Sequence, residues 1–576
     1  MDVASELITL AEGKFGKLTV AEKKLFRAAA KGEMADYSSR SKKPIGPAKA
    51  AKWGPSRVLL AGRIAWLCTD KQAEKLVTHR GIRITGARID EEFDLEAAKV
   101  AFPLYFEQCK FTADINLRHT QVAALYMIGT YVGRIFADAL KSNGNVSLRD
   151  GFKAEGEVRL LGARVNGNLE CDNSQFINLG GKALSADGLN VVGSILLRNG
   201  FKAQGEVGLR EAAVGGGLEC DNGQFTNQGG KALSADGIKV DGPVFLCDGF
   251  KVQGEVRLIG ATVGGDLNCE NAQFTNEKGD ALLADGLKVD GSVFLRNGFK
   301  AQGAVSFFGA KIRGYLGLTG VDSTEEMILD LRSAKIGTLY SDQESWPAPG
   351  QLSLRGLEYA EISHESPIDS QSYIEWLRRQ DGFSPQPYEQ LAKVLRESGD
   401  GAGARDVLVA KNKDKADRTK LTRAEWFWYR FFGPLIGYGH RPWLVIPLAL
   451  VIILFGSVFF KEGYSDGLVT PPSDSAYAKE GDAGVPAPGD TNRRISDVYP
   501  VFNSLVYSTD VCVQVVDLRQ VKYWLPNANR GSELVPTSSA ALCTGGLLLF
   551  WLWLEIACGC VLTILFLVGL TGLVRT

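Results

Sequence analysis

Histidine is scarce: His79, His119, His364 and His440 are the four among 576 residues, and they lie far apart. That argues against a His-rich metal centre and against a His-based catalytic triad. Charge of one sign is also missing. With 65 basic and 66 acidic residues, no whole-protein field exists to capture nucleic acid, and any charge argument has to be local. There is no dinucleotide fingerprint, no set of spaced metal ligands and no Cys-x-x-Cys pair. The reading is accordingly no metal, no cofactor and no nucleic-acid partner. The chain opens without an apolar run of the signal-peptide kind. Its ten cysteines are therefore expected as free thiols, with the large N-terminal part in a reducing cytoplasm.

Glycine, at 66 residues, is abundant, and much of it belongs to a repeat. GFKAEGEV begins at Gly151, GFKAQGEV at Gly200, GFKVQGEV at Gly249 and GFKAQGAV at Gly298, each 49 residues after the last. Phe152, Phe201, Phe250 and Phe299 interleave with Phe176, Phe225 and Phe274, so each unit is two similar halves. Val165, Gly167, Leu169 and Cys171 put an apolar residue or glycine at every second position, as a strand requires. About 24 residues per half is too short for a helix-pair repeat and suits short strands joined by Gly and Asn turns. The fold class expected is mainly β: a right-handed β-helix solenoid of eleven or twelve coils, with the phenylalanines stacked inside. GIRITGARIDEEFDLEAAKV from Gly81 and GQLSLRGLEYAEI from Gly350 extend the array, and GRIAWLCTDKQAEKLVTHRGI before it has the helical spacing of a cap over the first coil. Cys171, Cys220 and Cys269 would form a buried ladder about two coils apart, too distant to share a metal or a disulfide. Lys153, Lys202, Lys251 and Lys300 form a solvated charge row, and Asp187, Asp236 and Asp285 are turn formers.

After residue 365 the pattern becomes helical. SQSYIEWLRRQ and YEQLAKVLRESGDGAGARDVLVAK form a connector, followed by the basic run from Lys411 to Arg423 and the aromatic AEWFWYRFF. Basic residues followed by aromatics suit an anionic leaflet and its interface, where Trp426, Trp428, Tyr438, Arg441 and Trp443 are placed. PWLVIPLALVIILFGSVFF, from Pro442 to Phe460, carries no charge and is long enough to span. A second apolar segment runs from about Ala540 to Val574, and Arg575 follows it. The positive-inside rule then puts both termini and the β-helix in the cytoplasm. Gly437, Tyr438 and Gly439 match the letters of a potassium filter, but they precede the first span and read as an elbow. The stretch YPVFNSLVYSTDVCVQVVDLRQVKYWLP, from Tyr499, is either a re-entrant pore loop or an interfacial cap. Phe502, Ser504, Leu505, Val506 and Thr509 fit a pore-helix pattern; Asp510, Cys512 and Gln514 stand where a glycine-rich filter would follow. Glu555 is either an interior acid or an interfacial one.

The order of parts resembles a bacterial family of membrane-anchored β-helical, pentapeptide-repeat-like proteins often labelled membrane-associated oxidoreductases. Gly156 to Leu160, Tyr388 to Asp400 and Ile436 to Trp443 carry the likeness. It implies a helical cap at 1–77, a β-helix at 78–365, a helical connector at 366–430 and a two-span membrane domain at 431–576 with an outer or re-entrant loop at 461–538. Two function classes follow: an oligomeric inner-membrane channel-like protein controlled by a cytoplasmic β-helical sensor, or a membrane-tethered scaffold without transport. Redox chemistry is third. The transport candidates are Thr509, Asp510, Gln514 and Glu555. The expected partners are membrane lipid, further copies of the chain and a cytoplasmic ligand or protein.

Overall fold

Each 49-residue repeat folds as two stacked coils, each with two short strands on one side and either a short pair or one longer strand on the other. Arg164 pairs with Asn190 and Leu169 with Ile195 on one long parallel sheet; Lys153 pairs with Gln175 and Val158 with Leu184 on the other. The computed structural model describes residues 2–38, 46–322, 324–366, 369–479, 483–535 and 542–571. These fall into two units, Met1–Ala404 and Arg405–Thr576.

In the first unit the ladder that starts at Ile82 and ends at Ile362 takes twelve steps. At about 4.8 Å per strand that makes a β-solenoid roughly 58 Å long. Alternation drives it: Val165, Leu169 and Cys171 are fully buried, while Arg164 between coils is exposed. The seven phenylalanines stack at centroid separations between 5.2 and 5.5 Å. Several non-glycine corners fall on residues that tolerate the left-handed region, such as Asn173, Asn222 and Asn271, with φ between 49° and 55°, whereas Ala97, Ala139 and Glu211 adopt it without that preference.

Coils are unequal. Leu169 to Ile195 is a step of 26 residues and Ile195 to Leu218 one of 23. The surplus lies in the 11-residue strands Gln175–Ser185, Gln224–Ser234 and Gln273–Leu283, where a register shift pushes out a small loop. Asn178 closes one such loop by donating to the Lys182 carbonyl at 2.8 Å, and Asn227 and Asn276 repeat the bond. The loop requires glycine beneath it. At Gly205, with φ of 124°, a Cβ would stand 2.5 Å from the Asn178 carbonyl oxygen.

The aspartates do more than turn the chain. Asp187 accepts hydrogen bonds from the Arg210 backbone N–H and guanidinium on the next coil and from Lys182. Burial raises its carboxyl, but these partners outweigh that and hold it below the usual carboxylate range. Asp236 accepts from Arg257 and Ile259 in the same way, and Asp285 from Ser306.

Both solenoid ends are covered. The N-terminal helices α1 (Val3–Phe15), α2 (Val20–Lys31), α3 (Ala61–Thr69) and α4 (Lys71–Leu76) are interleaved with two short strands that pair onto the first coil, Ala35–Asp36 with Ile84–Thr85 and Val58–Leu60 with Arg88–Asp90. At the far end come α5 (Ser370–Arg378) and α6 (Pro385–Glu397). Trp346, Tyr373 and Trp376 form a buried aromatic cluster there. Gln386 accepts from the Gly356 N–H and donates to the Leu357 carbonyl, and Gln390 donates to the Tyr359 carbonyl. These amides satisfy the edge that a further coil would pair with.

The second unit continues from α7 (Gly401–Arg418) through α8 (Arg423–Phe427), a π-turn at Trp428–Phe432 and α9 (Gly433–Leu435) into the long α10 (Val445–Ser465). A short α11 (Ser504–Cys512), α12 (Gln520–Tyr523) and the long α13 (Thr544–Thr571) follow. Pro442–Ser465 and Thr544–Thr571, of 24 and 28 residues, are long and apolar enough to cross a membrane. Their large side chains, among them Leu450, Phe455, Phe550 and Ile564, are exposed, as suits a lipid-facing helix. Ala540, Val574 and Arg575 lie outside the described residues.

Candidate functional site

α11 lies against both long helices, and its direction is fixed by three contacts in sequence. Asn503 caps it, its side chain accepting from the Leu505 and Val506 N–H groups. At this end Phe502 stacks on Tyr464 at 4.5 Å and Tyr507 meets Phe460 edge-on at 4.7 Å. Next, Ser508 donates to the Ile453 carbonyl at 2.8 Å and bonds the Glu555 carboxyl. Deeper still, the Cys512 carbonyl lies against Gly559, where a Cβ would stand 2.1 Å from that oxygen. The chain then turns back. Trp524 donates to the Pro500 carbonyl at 3.1 Å and Tyr499 to the Tyr523 carbonyl at 2.6 Å, so the segment enters and leaves at one end. Residues 499–524 thus form a helical hairpin whose tip, around Val515 and Val516, lies well down the two long helices.

The chemistry of the hairpin centres on Glu555, the twelfth of 28 residues in α13 and 1% exposed. Gly456 makes the space for it. A Cβ there would stand 2.5 to 2.7 Å from both Glu555 oxygens and the Ser508 hydroxyl. Glu555 Oε2 has no hydrogen-bond partner of ordinary geometry among the described residues. The Trp551 indole N–H lies near the carboxyl without closing such a bond. Ser508 has one hydroxyl proton and two acceptors in reach. The bonds are complete when the Ser508 proton goes to the Ile453 carbonyl and a protonated Glu555 donates to Ser508. The arrangement can therefore hold one proton on an acid between three elements.

The other candidates are placed differently. Asp510 accepts from the Leu518 N–H at 2.7 Å and the Val521 N–H at 3.0 Å, which ties the hairpin's return. Thr509 donates back to the Leu505 carbonyl. Gln514 donates to the Ile556 carbonyl at 3.3 Å and accepts from the Cys560 thiol at 3.0 Å, joining the tip to α13. Glu555 and Gln514 thus hold the hairpin to α13, whereas Thr509 and Asp510 serve its own backbone. Ser508 and Gly456 were not singled out in the sequence. Gly456 had a signal as the one glycine between Pro442 and Phe460; Ser508, one of four hydroxyl residues in SLVYSTDVC, had none.

At the other end of α10, Trp426 and Trp443 are 53% and 49% exposed, and Trp428 packs on the cluster of Ile436, Val445, Leu562 and Leu565. Tyr438 is buried, its ring beside Tyr429 and its hydroxyl donating to the Tyr429 carbonyl. Arg441 pairs with Asp406. Gly437 and Gly439, at φ of 53° and 84°, make the bend ahead of the first long helix.

Comparison with protein-family models, with curated proteins and with solved structures finds no match. The β-solenoid and the two apolar helices define this chain as a β-helical protein compatible with membrane anchoring.

Proposed function

We propose that the protein is an oligomeric, channel-like protein of the bacterial inner membrane, with its β-solenoid in the cytoplasm as a sensor of a ligand or partner. The observation that carries this reading is the helical hairpin 499–524 held between two apolar helices by Ser508, Gly456 and Glu555. A simple anchor needs neither a third element inside the pair nor an acid at that depth, where an ionised carboxyl is costly. Several copies around one axis would bring their hairpins together as a lining. A proton held on Glu555 would neutralise the acid, and losing it would leave a buried charge that favours moving α11. The basic run from Lys411 to Arg423 supports cytoplasmic termini.

Purified full-length protein reconstituted in liposomes should conduct cations, and Glu555→Gln and Asp510→Asn should alter selectivity. Wild-type vesicles that stay tight while the oligomer is intact would overturn the reading. A membrane-tethered scaffold is the second reading. Asp510 favours it, because both carboxylate oxygens are committed to backbone N–H groups. An oxidoreductase is third.

A further inference from the structure

A pocket of about 720 Å³ opens between the C-terminal half of α7 and the segment that leads into the first long helix. Its polar wall is built from Lys413, Arg430 and Arg441, with Asp417 as the one acid. Arg441 is held by Asp406, whereas Lys413 and Arg430 close no ion pair among the described residues. Tyr429 and Tyr438 line it, and Leu444 at its edge directly precedes α10. A second pocket of about 410 Å³ shares Ala416, Leu421 and Trp426 with the first and continues along Phe427, with Thr419 and Arg423 as its polar wall. Beside them Phe427, Phe431 and Leu435 are exposed.

We propose that the first pocket takes the phosphate headgroup of an anionic phospholipid while the second takes the start of its acyl chains. The inference rests on α10 entering a bilayer. Two basic side chains without ion pairs suit a phosphate. Leu421, Trp426 and Phe427 in the pocket that follows directly, and the aromatic surface around both, suit the apolar part of a lipid, which a free phosphate lacks. Attraction to an anionic leaflet strengthens with each basic residue near its surface.

The test uses the detergent-purified full-length protein and native mass spectrometry, with added phosphatidylglycerol compared with phosphatidylcholine. Phosphatidylglycerol should be retained preferentially. The double variant Lys413→Gln/Arg430→Gln should weaken that retention on the order of 25-fold, and the charge-preserving Lys413→Arg/Arg430→Lys should keep it. Unchanged oligomer size on gel filtration shows that the variants fold. Equal retention of the two lipids, no loss in the double variant, or displacement of the lipid by millimolar inorganic phosphate alone would each overturn the proposal. Membranes washed with alkaline carbonate test the anchoring separately: protein that stays shows α10 and α13 inserted, and protein that washes off removes the basis of the inference.

Discussion

Replacing Phe225 by Ala tests how the solenoid is held together. The ring is 1% exposed and lies 5.3 Å from Phe201 and 5.2 Å from Phe250. Truncating a buried phenylalanine costs about 3 to 5 kcal/mol, of which each ring pair contributes roughly 0.5 to 1.5 kcal/mol beyond area burial. Phe152 has one stack neighbour, Phe176 at 5.5 Å, so Phe152→Ala should cost about 1 kcal/mol less. In a stacked array the loss falls on the coils that touch the cavity. Hydrogen-exchange mass spectrometry on the full-length protein reads this directly. Amides in the coils on either side of Phe225 should exchange about a thousandfold faster, the equivalent of 4 kcal/mol, while those near Ile82 change little. An acceleration below tenfold, or one spread evenly from Ile82 to Ile362, would refute the stacked-core account.

Burial pushes the thiols of Cys171 and Cys220 well up, and that of Cys247 to about 12 with a further rise from Asp248. Thiolate is therefore almost absent at pH 8, and a maleimide should leave these cysteines unmodified until the protein is denatured; rapid labelling of native Cys171 would contradict the burial. Cysteine engineered at Ser473 should react with a membrane-impermeant thiol probe in intact cells while one at Ser398 should not, and the reverse pattern would sink the topology. Ser508→Ala takes the hydrogen bond from a buried carboxyl and should destabilise the detergent-solubilised protein by about 1 to 3 kcal/mol, whereas Glu555→Gln, which can still donate to Ser508, should cost less. Wild type and Ser508→Ala melting together would show that the contact is not made.

The solenoid was legible because its cause is periodic. Phenylalanine alternates between two places in successive coils, Phe176 and Phe225 standing opposite Ala154 and Ala203, and Phe152 and Phe201 two residues before those alanines, so the stack repeats its pattern every 49 residues. The aspartates were legible only as turn residues. Their bonds reach Arg210 and Ile259 on the next coil, 23 residues on, and local turn chemistry carries no sign of that. The strands swollen at 178–181 escaped notice because Gly180 and Gly181 read as an ordinary turn, whereas the register shift shows only against the neighbouring coil. In the second unit, length and apolarity revealed the two long helices. Ser508 meets Ile453 and Glu555 from 55 and 47 residues away, and nothing periodic links three positions on three elements. Glu555 stood out because an acid in an apolar run is costly, yet the sequence held no sign of which groups would cover it.

The central claim is that copies of the membrane unit assemble with their hairpins toward a common axis. Imaging the full-length protein in lipid nanodiscs by single-particle electron microscopy tests it most directly. The account predicts a closed ring with the 499–524 hairpins lining its centre and Glu555 behind them. A monomer, or a ring in which α10 and α13 stand apart from the axis with the hairpins facing outward, would contradict it.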